Sequence, residues 1–137
     1  MSRFFSSKYA ALEPYTPGEQ PMDMDRYVKL NTNESPFPPS KKALDYAASN
    51  TRTLNLYSDP NSYDLTCAIA KTYGVDKDMV LATNGSDEIL NFAFMAFTDQ
   101  KTPALFADIT YGFYPVYAQL NNSAVEIVPL REDFSLS

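Results

Sequence analysis

The sequence predicts an α/β fold built on a mainly parallel sheet, and three observations carry that expectation. Between Met79 and Pro129 apolar strand-like runs alternate with helix-like runs, the pattern of βαβ units. Turn-forming residues fall at the joints, as at Asn84-Gly85 and Gly112. The first 39 residues lack any periodicity and hold six of the chain's ten prolines, so they read as an extended arm lying on something else.

Each element follows from local chemistry. In the arm, Pro17-Gly18 and Pro36-Phe37-Pro38-Pro39 mark turns. Ser40 is a candidate cap for a short helix through Lys41, Ala43, Leu44, Ala47 and Ala48, and Tyr57 to Ser62 returns to loop chemistry. Tyr63 to Tyr73 reads as a second helix stopped by Gly74. Met79 to Ala82 is an expected strand, followed by the Asn-Gly turn and a helix from Glu88 to Phe97. Ala104 to Ala107 is a second strand, Tyr114 to Leu120 a helix and Ala124 to Val128 a third strand. The expected organisation is therefore an arm over 1–39 and the first part of an α/β domain over 40–137. The helix from Glu88 is apolar nearly all round, which predicts burial on more than one side. Three strands and 137 residues offer little to bury it against, so the segment reads as part of a larger unit.

Composition removes several function classes. The net charge of -6, with seven Lys and four Arg scattered along the chain, argues against nucleic acid or an anionic membrane surface as a partner. Neither a signal-peptide core nor a run of eighteen apolar residues is present, and a cytoplasmic location is the expectation. The chain has no histidine, which excludes Ser-His-Asp and Cys-His catalysis and His-ligated metal sites within it. Asp76 and Asp78 beside Lys77 read as a solvated turn and no metal is expected. Cys67, the single cysteine, reads as a core thiol in the second helix.

Three clusters remain that could carry chemistry. In Asn84-Gly85-Ser86-Asp87-Glu88, Gly85 permits a tight turn and Ser86 and Asp87 offer backbone N–H groups at a helix amino end, which suits a phosphate. The alternative is a ligand-free capped helix with Ser86 as N-cap. Asp108 to Tyr114 follows the next strand and should emerge at the same carboxyl edge of the sheet, with Tyr111 placed to stack on a flat ring or simply to pack with Phe113 and Tyr114. Lys29 to Pro36 gathers Asn31, Asn33 and Glu34 in the arm, where asparagines ordinarily satisfy their own backbone.

Taken in order, LEPYTPGEQ, KLNTNESPFPPS, LNLYSDPNSYDL, VLATNGSDEIL and DITYGFYPVYA resemble the fold-type I pyridoxal-phosphate enzymes, and most closely the histidinol-phosphate aminotransferases, from about Leu12 to Val128. The resemblance implies the amino-terminal portion of the aspartate aminotransferase-like large domain, with pyridoxal phosphate as cofactor. It implies that Gly85, Ser86 and Asp87 hold the cofactor phosphate and that Tyr111 stacks on the pyridine ring. Tyr57 matches the tyrosine that crosses a homodimer interface to the neighbouring subunit's cofactor phosphate, and Tyr15 and Asn33 match residues lining the substrate pocket.

One departure follows from the same resemblance. The Schiff-base lysine, the arginine that follows it and the Asn and Asp that contact the ring are expected beyond position 137, and neither Ser7-Lys8 nor Ser40-Lys41 matches the lysine motif. No catalytic residue is therefore assigned within the chain. The 137 residues alone are expected to be inactive, to bind cofactor weakly if at all and to self-associate. The leading reading is a fragment of an enzyme transferring an amino group from a small phosphorylated amine to 2-oxoglutarate; the alternatives are a threonine-phosphate decarboxylase-like fragment and a non-catalytic dimerisation module.

Overall fold

The computed structural model describes residues 3–10, 12 and 15–136. Glu13 and Pro14, in the first of the matched segments, lie outside the described residues. The chain divides into two compact units, one of residues 17–82 and one of residues up to Thr16 together with those from Thr83 onward.

In the 17–82 unit, α1 spans Lys41–Ser49, and Ser40 caps it as its side-chain oxygen accepts from the Ala43 N–H at 3.3 Å. α2 spans Tyr63–Tyr73 and ends at Gly74, whose φ of 68° and ψ of 33° are the left-handed values of a helix stop. Its start is held by Asp59, whose carboxylate accepts from Tyr63 N–H at 2.7 Å and Asn61 N–H at 3.0 Å. Those backbone hydrogen bonds, Tyr63 foremost, pull the Asp59 carboxyl below its usual range. The inward face of α2 is Thr66 and Ala70, one turn apart. Cys67 lies one residue round from that face and is half-buried, where a core thiol was expected.

The expected strand over Met79 to Ala82 does not form. Lys77–Met79 is a single 3-10 turn, its N-cap Asp76 accepting from the Asp78 N–H, and Lys77 pairs with Asp78. Val80 is extended, with φ -119° and ψ 128°, but the described sheet has only two strands and neither is this one. Apolar sequence suffices for extended backbone, whereas a strand also needs a neighbour to complete its hydrogen bonds.

The other unit holds α3 (Ser86–Phe97), β1 (Ala104–Ala107), α4 (Phe113–Leu120) and β2 (Val125–Val128). β1 and β2 pair in parallel with Ala104 opposite Val125 and Ala107 opposite Val128, so β1-α4-β2 is one crossover unit. The turn between α3 and β1 sets the register: Asp99 accepts from Lys101 and Thr102 N–H at 2.7 Å each, and its own carbonyl accepts from Ala124 N–H. Asn121 donates to Asn91 at 3.0 Å and joins α4 to α3. Ala104, Tyr117 and Ala118 are the buried apolar residues of this unit among the described residues. α3 is covered on one side only, with Phe94 half-buried but Met95 and Phe97 exposed, which agrees with the expectation that these 137 residues offer little to bury it against. Two short strands and one helix present too little apolar surface to cover both flanks.

Candidate functional site

Two chain turns meet beside the amino end of α3. At the first, Gly85 is the N-cap, with φ 81° and ψ 177°, a region open to glycine alone, and Ser86 is the first helical residue. The cap reading for Ser86 is thus corrected: a glycine holds that position because the chain enters the helix through a backbone no side chain tolerates. The turn is fastened by Gly85 N–H donating to the Thr83 carbonyl at 2.9 Å and by the Thr83 hydroxyl donating to the Gly85 carbonyl at 2.8 Å. Nothing lies within 4 Å of where a Cβ on Gly85 would sit, so the approach to the helix end is open.

Both acidic side chains of the first turn are engaged with other donors. Glu88 accepts from the Asn84 N–H at 2.7 Å. Asp87 accepts from the Tyr111 hydroxyl at 2.8 Å. No side chain caps α3 at Gly85, and the positive end of the helix is left with its backbone donors facing outward.

The second turn follows β1 and carries Tyr111, which sits against Phe113 with ring centroids 5.7 Å apart and edge-on to Tyr114 at 5.7 Å. It is part-exposed, so a ring face remains accessible. The hydrogen bond to Asp87 is the main cause that raises its phenol pKa above the usual value, with burial second. Sequence reasoning placed Asp87 and Tyr111 at one sheet edge, and the hydrogen bond between them brings the two clusters together.

Tyr117 was missed. It is 4% exposed, packs between Phe94 and Phe113 with centroids 5.6 Å from each, and its buried hydroxyl has no hydrogen-bond partner among the described residues. Burial, and then the nearby Asp87 carboxylate, push its phenol well above the usual range. The available signal was its place one turn after Phe113 and Tyr114 on the same helix. Tyr15 joins the same aromatic group, its ring 4.3 Å from that of Phe113 and tilted by 41°. It also lines an open groove of about 660 Å³ with Phe106, Gly112 and Ile127, to which Ser86, Asp87 and Tyr111 do not contribute. Tyr57 and Asn33 belong to the 17–82 unit; Tyr57 is fully exposed and Asn33 stands in a left-handed turn with φ 52°.

The family of aminotransferases described as class I and II matches residues 25–137. The chain belongs to this family. Among its relatives, the histidinol-phosphate aminotransferase of Clostridium acetobutylicum is 50% identical over 99% of this chain and 39% of its own length. That of Marinomonas sp. is 50% identical over 99% of this chain and 38% of its own, and that of Brachyspira hyodysenteriae 48% identical over the same shares. The chain spans about two-fifths of the length of these aminotransferases. Its α/β architecture with a small parallel sheet is that of a class I and II aminotransferase domain.

Proposed function

We propose that this chain is the amino-terminal portion of the large domain of a pyridoxal-phosphate-dependent aminotransferase, and that the whole protein transfers the amino group of histidinol phosphate to 2-oxoglutarate in histidine biosynthesis. The observation that carries the cofactor part is the α3 amino end: a glycine-only turn, open at Gly85, with both first-turn carboxylates engaged elsewhere. An anion such as the cofactor phosphate fits there, because backbone N–H groups and the helix dipole favour it. Identity near one half to histidinol-phosphate aminotransferases along the whole chain supports the substrate.

In this reading Gly85, Ser86 and Asp87 receive the phosphate, and Asp87, held by Tyr111, keeps that tyrosine's ring in place as a stacking face. Pyridoxal phosphate, when bound, supplies the electron sink that amino-group chemistry needs. Tyr57 reaches the phosphate held by the neighbouring subunit of a homodimer, and Tyr15 and Asn33 line the substrate pocket. The arm over 1–39 and the α/β segment from 40 onward serve these two tasks, and the lysine that engages the cofactor lies in the rest of the polypeptide. A cytoplasmic location belongs to the same proposal; among the described residues no helix is long and apolar enough to cross a membrane.

Glutamate formation from 2-oxoglutarate by the full-length enzyme tests this reading. Turnover with histidinol phosphate and little with threonine phosphate is expected; loss of carbon dioxide from threonine phosphate instead would overturn the substrate assignment.

A further inference from the structure

The turn that carries Asn33 is strained, and of its left-handed residues only Thr32 bonds within it, its hydroxyl donating to the Asn31 carbonyl at 2.7 Å. Thr32 and Asn33 both have positive φ, 62° and 52°, and a β-branched residue in that region is a genuine outlier. Left-handed asparagines are ordinarily tolerated because their amide bonds the local backbone. Here the Asn33 amide makes no hydrogen bond to any described residue, and the Asn31 amide donates to the Glu19 carbonyl, twelve residues away, at 3.0 Å. Beyond that one Thr32 bond, the conformation is held by contacts from outside the turn.

What imposes it is a brace between two stretches of the arm. The Lys29 ammonium, on a side chain only 11% exposed, donates to Glu34 at 2.5 Å and to Gln20 at 3.1 Å, so it closes the turn from both flanks. Gly18 is seated directly against it: a Cβ there would stand 3.1 Å from the Thr32 methyl and 3.3 Å from the Asn31 amide nitrogen. A strained turn with an unused amide at its tip, over-determined by its surroundings, is the arrangement of a preorganised binding group.

We propose that the Lys29–Glu34 ion pair, with Gln20 and the close seat at Gly18, is a positioning device that holds Thr32 and Asn33 left-handed and so fixes the Asn33 amide for the carboxylate of the amino-acid substrate. The proposal rests on the reading of Asn33 as a substrate-pocket residue. Lys29 and Glu34 are positioning residues in it and do not touch the substrate.

The test uses the full-length enzyme, with glutamate as the probe, and reads both KM against kcat and the calorimetric affinity for glutamate. Asn33→Ala is expected to weaken glutamate at least tenfold with kcat nearly unchanged. Lys29→Met is expected to weaken it about fivefold, Lys29→Arg much less, and Lys29→Met added to Asn33→Ala to have no further effect. Thr32→Gly, which relieves the strain, should restore part of the affinity lost in Lys29→Met. Should Asn33→Ala leave glutamate binding intact, the pocket reading falls and the inference with it. If Asn33→Ala acts but Lys29→Met does not, or the two add independently, the positioning role alone is overturned. Lys29→Arg restoring the binding separates lost positioning from a misfolded arm.

Discussion

The buried hydroxyl of Tyr117 leads to an unusual expectation, that removing it should not harm the protein. Its ring is 4% exposed and contacts Phe94 and Phe113, and Tyr117→Phe keeps both contacts. The hydroxyl itself is desolvated with no partner among the described residues, and such a group carries a cost of about 1–3 kcal/mol. Tyr117→Phe should therefore leave the unfolding free energy unchanged or raise it by up to about 2 kcal/mol, read by urea unfolding with an unchanged slope. A pH signature accompanies it. The folded phenol has a pKa raised above its ordinary 10.0, so the unfolded chain loses this proton first and stability falls as pH rises above 10. Tyr117→Phe should abolish this part of the alkaline fall in stability. A loss of more than about 1 kcal/mol in Tyr117→Phe would refute the reasoning, because it would mean that the hydroxyl has a partner, with the Asp87 carboxylate the nearest candidate.

Gly85→Ala should destabilise by about 1–3 kcal/mol in the same unfolding assay although the space around it is empty, since φ 81° with ψ 177° is closed to a Cβ; an unchanged midpoint would contradict the turn geometry. Ser40→Ala, which removes the α1 cap, should cost about 1 kcal/mol, and no loss would mean that the bond to Ala43 contributes nothing. The hydrogen bond from Lys29 lowers the Glu34 carboxyl below its ordinary 4.5, so the brace is complete above pH 4.5 and is lost as pH falls through the lower folded value. A carboxyl titration of Glu34 by NMR should move back toward 4.5 in Lys29→Met, and an unmoved titration would exclude the pair.

Elements with their own punctuation were legible in the sequence. Tyr63–Tyr73 and Ala104–Ala107 form where Gly74 and the apolar run placed them, and α4 and β2 differ by a single residue at one end. The strand expected over Met79 to Ala82 was not, because a strand is a property of two segments and the partner is not encoded locally. The Asp87–Tyr111 bond links residues 24 apart, so spacing could suggest a shared edge but not the contact itself. Tyr117 escaped notice because an aromatic on a helix face reads as packing, and only its orphaned hydroxyl beside Asp87 marks it out. The arm's brace was hidden for a similar reason, as Lys29 and Glu34 fall in a cluster noted for its polar residues, but their spacing does not show the left-handed turn that brings them together.

The central claim is that the backbone donors of the α3 amino end receive the cofactor phosphate, and Ser86→Pro against Ser86→Ala tests it most directly. Proline is favoured at the first helical position, so Ser86→Pro removes one N–H while keeping the helix, and Ser86→Ala removes only the hydroxyl. In an absorbance titration of the full-length protein with pyridoxal phosphate, Ser86→Pro should bind at least tenfold more weakly, the worth of one charge-assisted hydrogen bond of about 1.4 kcal/mol or more, with Ser86→Ala much closer to the unaltered protein. Equal affinity in Ser86→Pro and the unaltered protein, with the helix intact by circular dichroism, would contradict the claim.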